Sequence, residues 1–173
     1  MNKRFEFIKA LIILPGSALV FIPGGILYWT RSFSFLGGLD FPLAWAFLVT
    51  GVLFIALGLF VAVKTAALFL TVGDGTPAPW APPRNFVVSG PYRYVRNPML
   101  LSVLSMILGE AVLCGSWPLF YWFVIFWIIN TFYFIWFEEQ GLINRFGESY
   151  LEYKKNVPRW LPRRSPWNPV IKT

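Results

Sequence analysis

Two adjacent carboxylates, Glu138 and Glu139, close an almost wholly apolar stretch and are the sharpest chemical feature of the chain. At the foot of a helix they meet the negative end of its dipole, where anions are disfavoured. Adjacent helical residues point about 100° apart, so one carboxylate can face a pocket while the other pairs with arginine. A carboxylate so placed suits a cationic ligand, the hydroxyls of a ribose or the proton of an amine; the plainer reading is an interfacial anchor in water. Arg93 and Arg96, three apart in PYRYVRNP, are the matching cations. They either contact lipid phosphate or form a bidentate pair with a carboxylate, of a ligand or of Glu138 or Glu139. Asn97-Pro98 reads as a helix start with Asn97 as N-cap, or as an amide offered to a cofactor. Gly73-Asp74-Gly75 lacks the continuation of a phosphate loop, which leaves a turn or a close backbone approach to a ligand.

What is missing narrows the chemistry further. The chain has no histidine and one cysteine, Cys114, so Ser-His and Cys-His arrangements and a disulfide framework are excluded, and no metal is expected. Glu110 lies inside an apolar stretch, about 17 Å along its helix from the end carrying the other polar residues, and reads as structural. Asn130 and Tyr133 read as helix-to-helix contacts, with Tyr133 one turn above the carboxylate pair.

The elements that must position these groups are membrane helices. The 173 residues are 57% hydrophobic, 20% aromatic and 13% charged, with a mean hydropathy of +0.59; a soluble domain carries about 25% charged residues. Apolar stretches run over 10–29, 43–70, 99–113 and 118–137, against roughly 20 residues needed for a span. Pro15 and Pro23 interrupt the first, which membrane helices tolerate. Cys114-Gly115-Ser116-Trp117 joins the last two as a helical hairpin. The first stretch lacks a clear small-x-small cleavage site and is too long for a signal peptide.

Residues 71–98, with six prolines and three arginines, favour turns and extended backbone. The aromatics Trp80, Phe86, Tyr92 and Tyr94 make this connection a structured loop. From Gln140 to Arg164, Leu142, Phe146, Tyr150 and Tyr153 recur at helical spacing between charges, which predicts one amphipathic helix at the membrane surface, ended by Val157-Pro158.

Lys3, Arg4, Lys9, Arg84, Arg93, Arg96, Arg145, Lys154 and Lys155 flank one set of helix ends, against Arg31 on the other. Both termini and the middle loop are therefore expected in the cytoplasm. The net charge of +7 then suits an anionic membrane surface and not nucleic acid. The expected fold is a single all-α polytopic membrane domain over residues 1–173, with about four transmembrane helices, the cytoplasmic loop 71–98 and a cytoplasmic tail 138–173 carrying the amphipathic helix.

The runs GDGTPAPWAPPRNFVVSGPYRYVRNPM and EEQGLINRFGESYLEYKKNVPRWLP resemble the bacterial branch of the isoprenylcysteine carboxyl methyltransferase family, itself related to the phospholipid (phosphatidylethanolamine) methyltransferases. The resemblance covers residues 71–162; the first two helices add only topology. It implies a bacterial inner membrane location, S-adenosylmethionine as methyl donor outside any Rossmann fold, and a lipid-like or prenylated acceptor entering from the bilayer. The family's R-[HN]-P-x-Y motif falls on Arg96, Asn97, Pro98, Met99 and Leu100, and its paired glutamates on Glu138 and Glu139. The cofactor glycines of the phospholipid branch correspond to Gly73 and Gly75. Three positions depart from the family: Asn97 stands for the commoner histidine, Leu100 for tyrosine and Ser102 for a frequent glycine.

On this resemblance Arg96, Glu138 and Glu139 are the expected catalytic residues. Together with Tyr92, Arg93, Asn97, Pro98, Phe146, Tyr150 and Tyr153 they form the expected cofactor site, the last three as a lid. Arg96 would hold the donor's carboxylate, a glutamate its ammonium or ribose, and Asn97 with the backbone near Pro98 the nucleoside. Methyl transfer is an in-line displacement that needs a desolvated, close nucleophile more than an acid–base pair. A carboxylate acceptor needs no base; an amine must lose a proton, for which Glu138 and Glu139 are the local candidates. A membrane reductase of a related fold using NADPH and a non-catalytic scaffold are the alternatives.

Overall fold

Pro15 and Pro23 do not break the first helix, because a wide turn absorbs them. The computed structural model describes Lys9, residues 12–74 and residues 83–168; the expectations for Lys3, Arg4, Gly75 and Trp80 lie outside these. The chain is helical from Ile12, widens into a π turn at Ser17–Phe21, and resumes as α1 (Ile22–Thr30). Across the wide turn the Ile22 N–H bonds the Ser17 carbonyl. The Ser17 hydroxyl lies 2.6 Å from the Ile13 carbonyl and 2.9 Å from that of Leu14, returning a donor to a stretch short of them. Arg31, at φ 48°, ends α1.

Pro42 precedes α2 (Leu43–Thr71), where a fixed φ suits a helix start. Its buried residues Gly51, Gly58 and Thr65 recur every seventh position and form the seam against α3 (Pro98–Leu113). Contact there is backbone to backbone: a Cβ on Gly58 would fall 2.6 Å from the Ser102 carbonyl oxygen, and one on Gly109 2.7 Å from that of Gly51. Small residues permit such approach where lipid removes any hydrophobic drive between helices. The Ser105 hydroxyl completes the seam by donating to the Phe54 carbonyl at 2.7 Å.

The hairpin expected at residues 114–117 is present. It leads into α4 (Trp117–Tyr133), which passes through a second π turn, Phe134–Glu138, into α5 (Glu139–Phe146). Gly147, at φ 53°, breaks the run before α6 (Glu148–Asn156). Two expectations are corrected here. The amphipathic segment is two helices, the first continuous with the membrane helix, because Gly147 takes a left-handed conformation that an L side chain resists. Glu138 and Glu139 are not at a helix end either, since the helix runs on to Phe146, so the dipole penalty does not act on them.

The protein is an integral, multi-spanning all-α bundle. Among the described residues, Ile12–Gly38, Leu43–Thr71 and Trp117–Phe146 are long and apolar enough to cross a membrane. Of the four spans expected, α3 is the short one, about 24 Å long against roughly 30 Å of hydrocarbon. It is also the inner helix, with eight buried residues. Ala18, Val103, Met106 and Ile107 form the core, with Trp122, Phe123 and Phe126 packed against it. Large apolar side chains such as Phe60, Leu57 and Trp136 are exposed on the outside of the bundle, as a lipid-facing surface requires. At the end away from the carboxylate pair, the Ser34 N–H donates to the Cys114 carbonyl at 3.0 Å and the Ser32 and Ser116 hydroxyls meet at 2.8 Å.

Candidate functional site

The loop preceding α3 brings the arginine motif to the carboxylates. Gly90, at φ 53°, opens a short 3-10 turn (Gly90–Arg93), after which Arg96 and Asn97 lead into Pro98 at the first turn of α3. Proline is suited to that position because its missing N–H has no helical partner there anyway. Asn97 occupies the N-cap, yet its side chain makes no capping bond. It is 6% exposed and its Nδ2 has no hydrogen-bond partner.

Glu139 is buried among three cations. Arg96 Nη1 reaches Glu139 Oε1 at 2.6 Å, Arg159 Nη2 and Nε reach the same oxygen at 2.7 and 2.9 Å, and Lys154 Nζ reaches Oε2 at 2.8 Å. One buried carboxylate thus ties the pre-α3 loop, α5, α6 and the following tail, and leaves the cluster with excess positive charge. The tail then runs over the arginine loop. Arg96 N–H donates to the Pro158 carbonyl at 2.9 Å, Arg163 N–H to that of Tyr94 at 3.0 Å and Trp167 N–H to that of Arg93 at 2.9 Å.

Glu138 faces the other way. It lines a cavity of about 800 Å³ together with Arg96, Asn97, Arg145, Tyr150 and Tyr153 at the polar end. Among the described residues it makes no side-chain hydrogen bond or salt bridge, and Arg145 is the cation that acts on it electrostatically. Leu100 and Val103 of α3 and Phe126, Ile129 and Asn130 of α4 carry the cavity down into the bundle, and Leu14, Ser17 and Ala18 close it from the first helix.

Aromatic rings pack beside the polar end. Phe86 stacks on Phe146 with centroids 5.0 Å apart and meets Tyr153 edge-on at 5.2 Å. The Tyr153 hydroxyl donates to the Tyr92 carbonyl at 2.7 Å. Burial pushes the Tyr150 phenol up to about 12, with the Glu139 charge adding to the rise. Burial likewise raises Tyr153 and Tyr92 well above the usual tyrosine range. All three stay protonated near neutral pH and cannot serve as bases.

Of the residues expected at a site, Tyr92, Arg96, Asn97, Glu138, Phe146, Tyr150 and Tyr153 meet at this one cavity. Glu139 stands behind it, in the cationic cluster. Pro98 is buried at the helix start. Arg93 points into the tail, where its Nε donates to the Trp167 carbonyl at 3.0 Å and its guanidinium bonds Asn168. Gly73 lies against its own loop: its carbonyl accepts from Arg84 N–H at 2.8 Å, and a Cβ there would fall 2.9 Å from the Phe69 carbonyl oxygen. Gly75 is outside the described residues. Sequence reasoning missed Lys154 and Arg159 as partners of Glu139, Arg145 as a cavity residue, and the share of the first helix. The VPR sequence before Trp160 was the available signal for Arg159. Among the described residues no group of three or more His, Cys, Asp or Glu side chains is placed to hold a metal ion.

The residues present suit S-adenosylmethionine. Arg96 Nε and Asn97 Nδ2, both buried and without partners, are donors left open to a ligand, and Glu138 is an acceptor facing the cavity. A sequence model of the family described as phospholipid methyltransferase matches residues 46–149, from α2 into the start of α6. No curated protein matches the chain.

Proposed function

Because the chain belongs to the phospholipid methyltransferase family, and is thus an S-adenosylmethionine-dependent methyltransferase acting on a membrane-associated, lipid-like acceptor, we propose that it methylates a lipid amine, with Glu138 accepting the proton. The observation that carries this reading is the division of labour between the paired glutamates: Glu139 is neutralised by three cations, while Glu138 faces the cavity.

S-adenosylmethionine, when bound, supplies an electrophilic methyl group on its sulfonium sulfur. Arg96, oriented by Glu139, holds the carboxylate of the donor, and the Asn97 amide holds the nucleoside. Tyr150 and Tyr153, with Phe86 and Phe146 packed on them, exclude water from the polar end. Glu138 takes the proton from the acceptor's ammonium group and leaves a free lone pair in a desolvated site, which is what displacement at carbon needs.

The acceptor enters sideways. Ile129, Tyr133 and Phe137 line the cavity and are also 56%, 39% and 65% exposed on the lipid side of the helix. Their spacing of four puts them on one helical stripe, which supports a mouth opening directly to the bilayer. The excess of basic residues at this end supports a cytoplasmic orientation for it.

A second reading has one observation in its favour. Arg145 lines the same polar end and suits a carboxylate acceptor of the isoprenylcysteine type, for which no base is needed. Incubation of the purified protein with methyl-labelled donor and a total lipid extract separates the two. A methylated amine keeps its label in alkali, and its formation falls about 10²-fold or more in Glu138→Gln. Label released by alkali establishes an ester and overturns the amine reading.

A further inference from the structure

The cavity has a floor as well as a mouth. Eleven residues separate Tyr133, near the polar end, from Trp122, and the cavity-facing residues between them fall on one helical face. That distance is about 17 Å of helix. At the bottom the Trp122 indole is fixed, its Nε1–H donating to the Ala18 carbonyl at 3.1 Å. Beside it Met106 and Ile107, 8% and 0% exposed, pack against Ala18 and Val103, with Trp122 on the same cluster; Ile22, one turn past Ala18, is the cavity residue farthest along the first helix. Ala18 is itself 3% exposed and sits in the wide turn of the first helix.

We infer that the Trp122–Ala18 pair is the end stop of a chain-binding channel and sets the longest hydrocarbon chain this enzyme accepts. The inference rests on the proposed lipid acceptor and deepens it. An extended chain advances about 1.3 Å per carbon, the projection of a C–C bond, so the channel below Tyr133 takes roughly 13 carbons. Selection by such a stop works through exclusion alone. A chain leaving the bilayer for an apolar channel exchanges one hydrocarbon environment for another, so each extra methylene adds little affinity. A chain longer than the channel must displace close-packed side chains or buckle, and is rejected. The dependence on length is therefore a plateau followed by a drop, unlike the steady rise of a site that draws its ligand from water.

The test uses single-chain phosphoethanolamine lipids with a photoreactive diazirine at the chain end, in a series of increasing length. They are presented in vesicles to the full-length protein, and cross-links are mapped by mass spectrometry. In the wild type the labelled position should move from Ile129 and Phe126 toward Trp122 and Ala18 as the chain grows, then labelling in the channel should fall about tenfold beyond the limit. Ala18→Leu, which raises the floor, should move that limit about two carbons shorter. Trp122→Phe, which lowers it, should move the limit longer. A misfolded variant cannot imitate this, because the two substitutions shift the limit in opposite directions. Labelling of the channel with no length limit, or with a limit that neither variant moves, overturns the end stop and leaves the lipid site standing. Absence of labelling anywhere in the channel overturns both.

Discussion

Replacing Glu139 by glutamine separates the two neighbouring carboxylates most sharply. Glu139 is 2% exposed and holds two guanidinium groups that are themselves well covered, Arg96 at 11% and Arg159 at 22%. Its third partner, Lys154, is 36% exposed and water compensates part of its loss. The substitution keeps the shape and removes the charge, leaving both guanidinium groups without their counterion. Breaking a buried pair in this way costs about 3–5 kcal/mol, and the arginine pair alone accounts for that range. Since the same carboxylate anchors the tail to the arginine loop, the loss should appear as easier unfolding and as exposure of the segment after Val157. Glu138→Gln, one residue away, removes a carboxylate that has no bonded partner and should leave the unfolding midpoint unchanged while reducing methyl transfer. Thermal unfolding in detergent, limited proteolysis of the tail and titration with S-adenosylhomocysteine read these effects. Glu139→Gln protein with wild-type stability, an intact tail and unchanged affinity would refute the reasoning. So would a Glu138→Gln protein destabilised to the same degree.

Gly58→Ala places a methyl group 2.6 Å from the Ser102 carbonyl oxygen and the Met106 Cγ, which forces α2 from α3. About 3 kcal/mol of stability should be lost, measured by thermal unfolding, and an unchanged midpoint would contradict the close seam. Tyr150→Phe should leave the pH profile of methyl transfer unaltered from about pH 6 to 9, because burial holds that phenol protonated up to about 12. A profile whose basic limb disappears in the variant would show that Tyr150 titrates in the working range.

The sequence was most legible where a local signal coincides with a physical constraint. Pro42 and Pro98 marked helix starts, the apolar runs gave the long helices, and the adjacency of Glu138 and Glu139 required two different environments. It was least legible where partners meet across long separations. Lys154 read only as a cation flanking a helix end, and Arg159 carried no reading of its own, because nothing near them in the chain requires a buried carboxylate; only folding α6 and the tail back beneath the bundle brings them to Glu139. Arg93 read as a ligand or lipid contact, yet its partner is a backbone carbonyl 74 residues away. The α2–α3 seam did carry a sequence signal in Gly51, Gly58 and Thr65, spaced by seven along one helix face, but apolar pattern analysis gives glycine no weight.

The wide turn at Phe134–Glu138 has a consequence for how the second half of the molecule is phased. In an unbroken α-helix, Leu142, Arg145 and Phe146 would centre roughly 130° away from the face defined by Phe126 and Asn130, since each residue advances about 100°. The extra residue taken up in a π turn winds the helix back by about 100°, closing most of that gap, and all five side chains line one cavity. A single helical wheel drawn through 117–146 therefore misassigns the polar end. The turn works as a rotary coupling: upstream of it, side chains are set by lipid and core, downstream by charge, and neither half dictates the azimuth of the other.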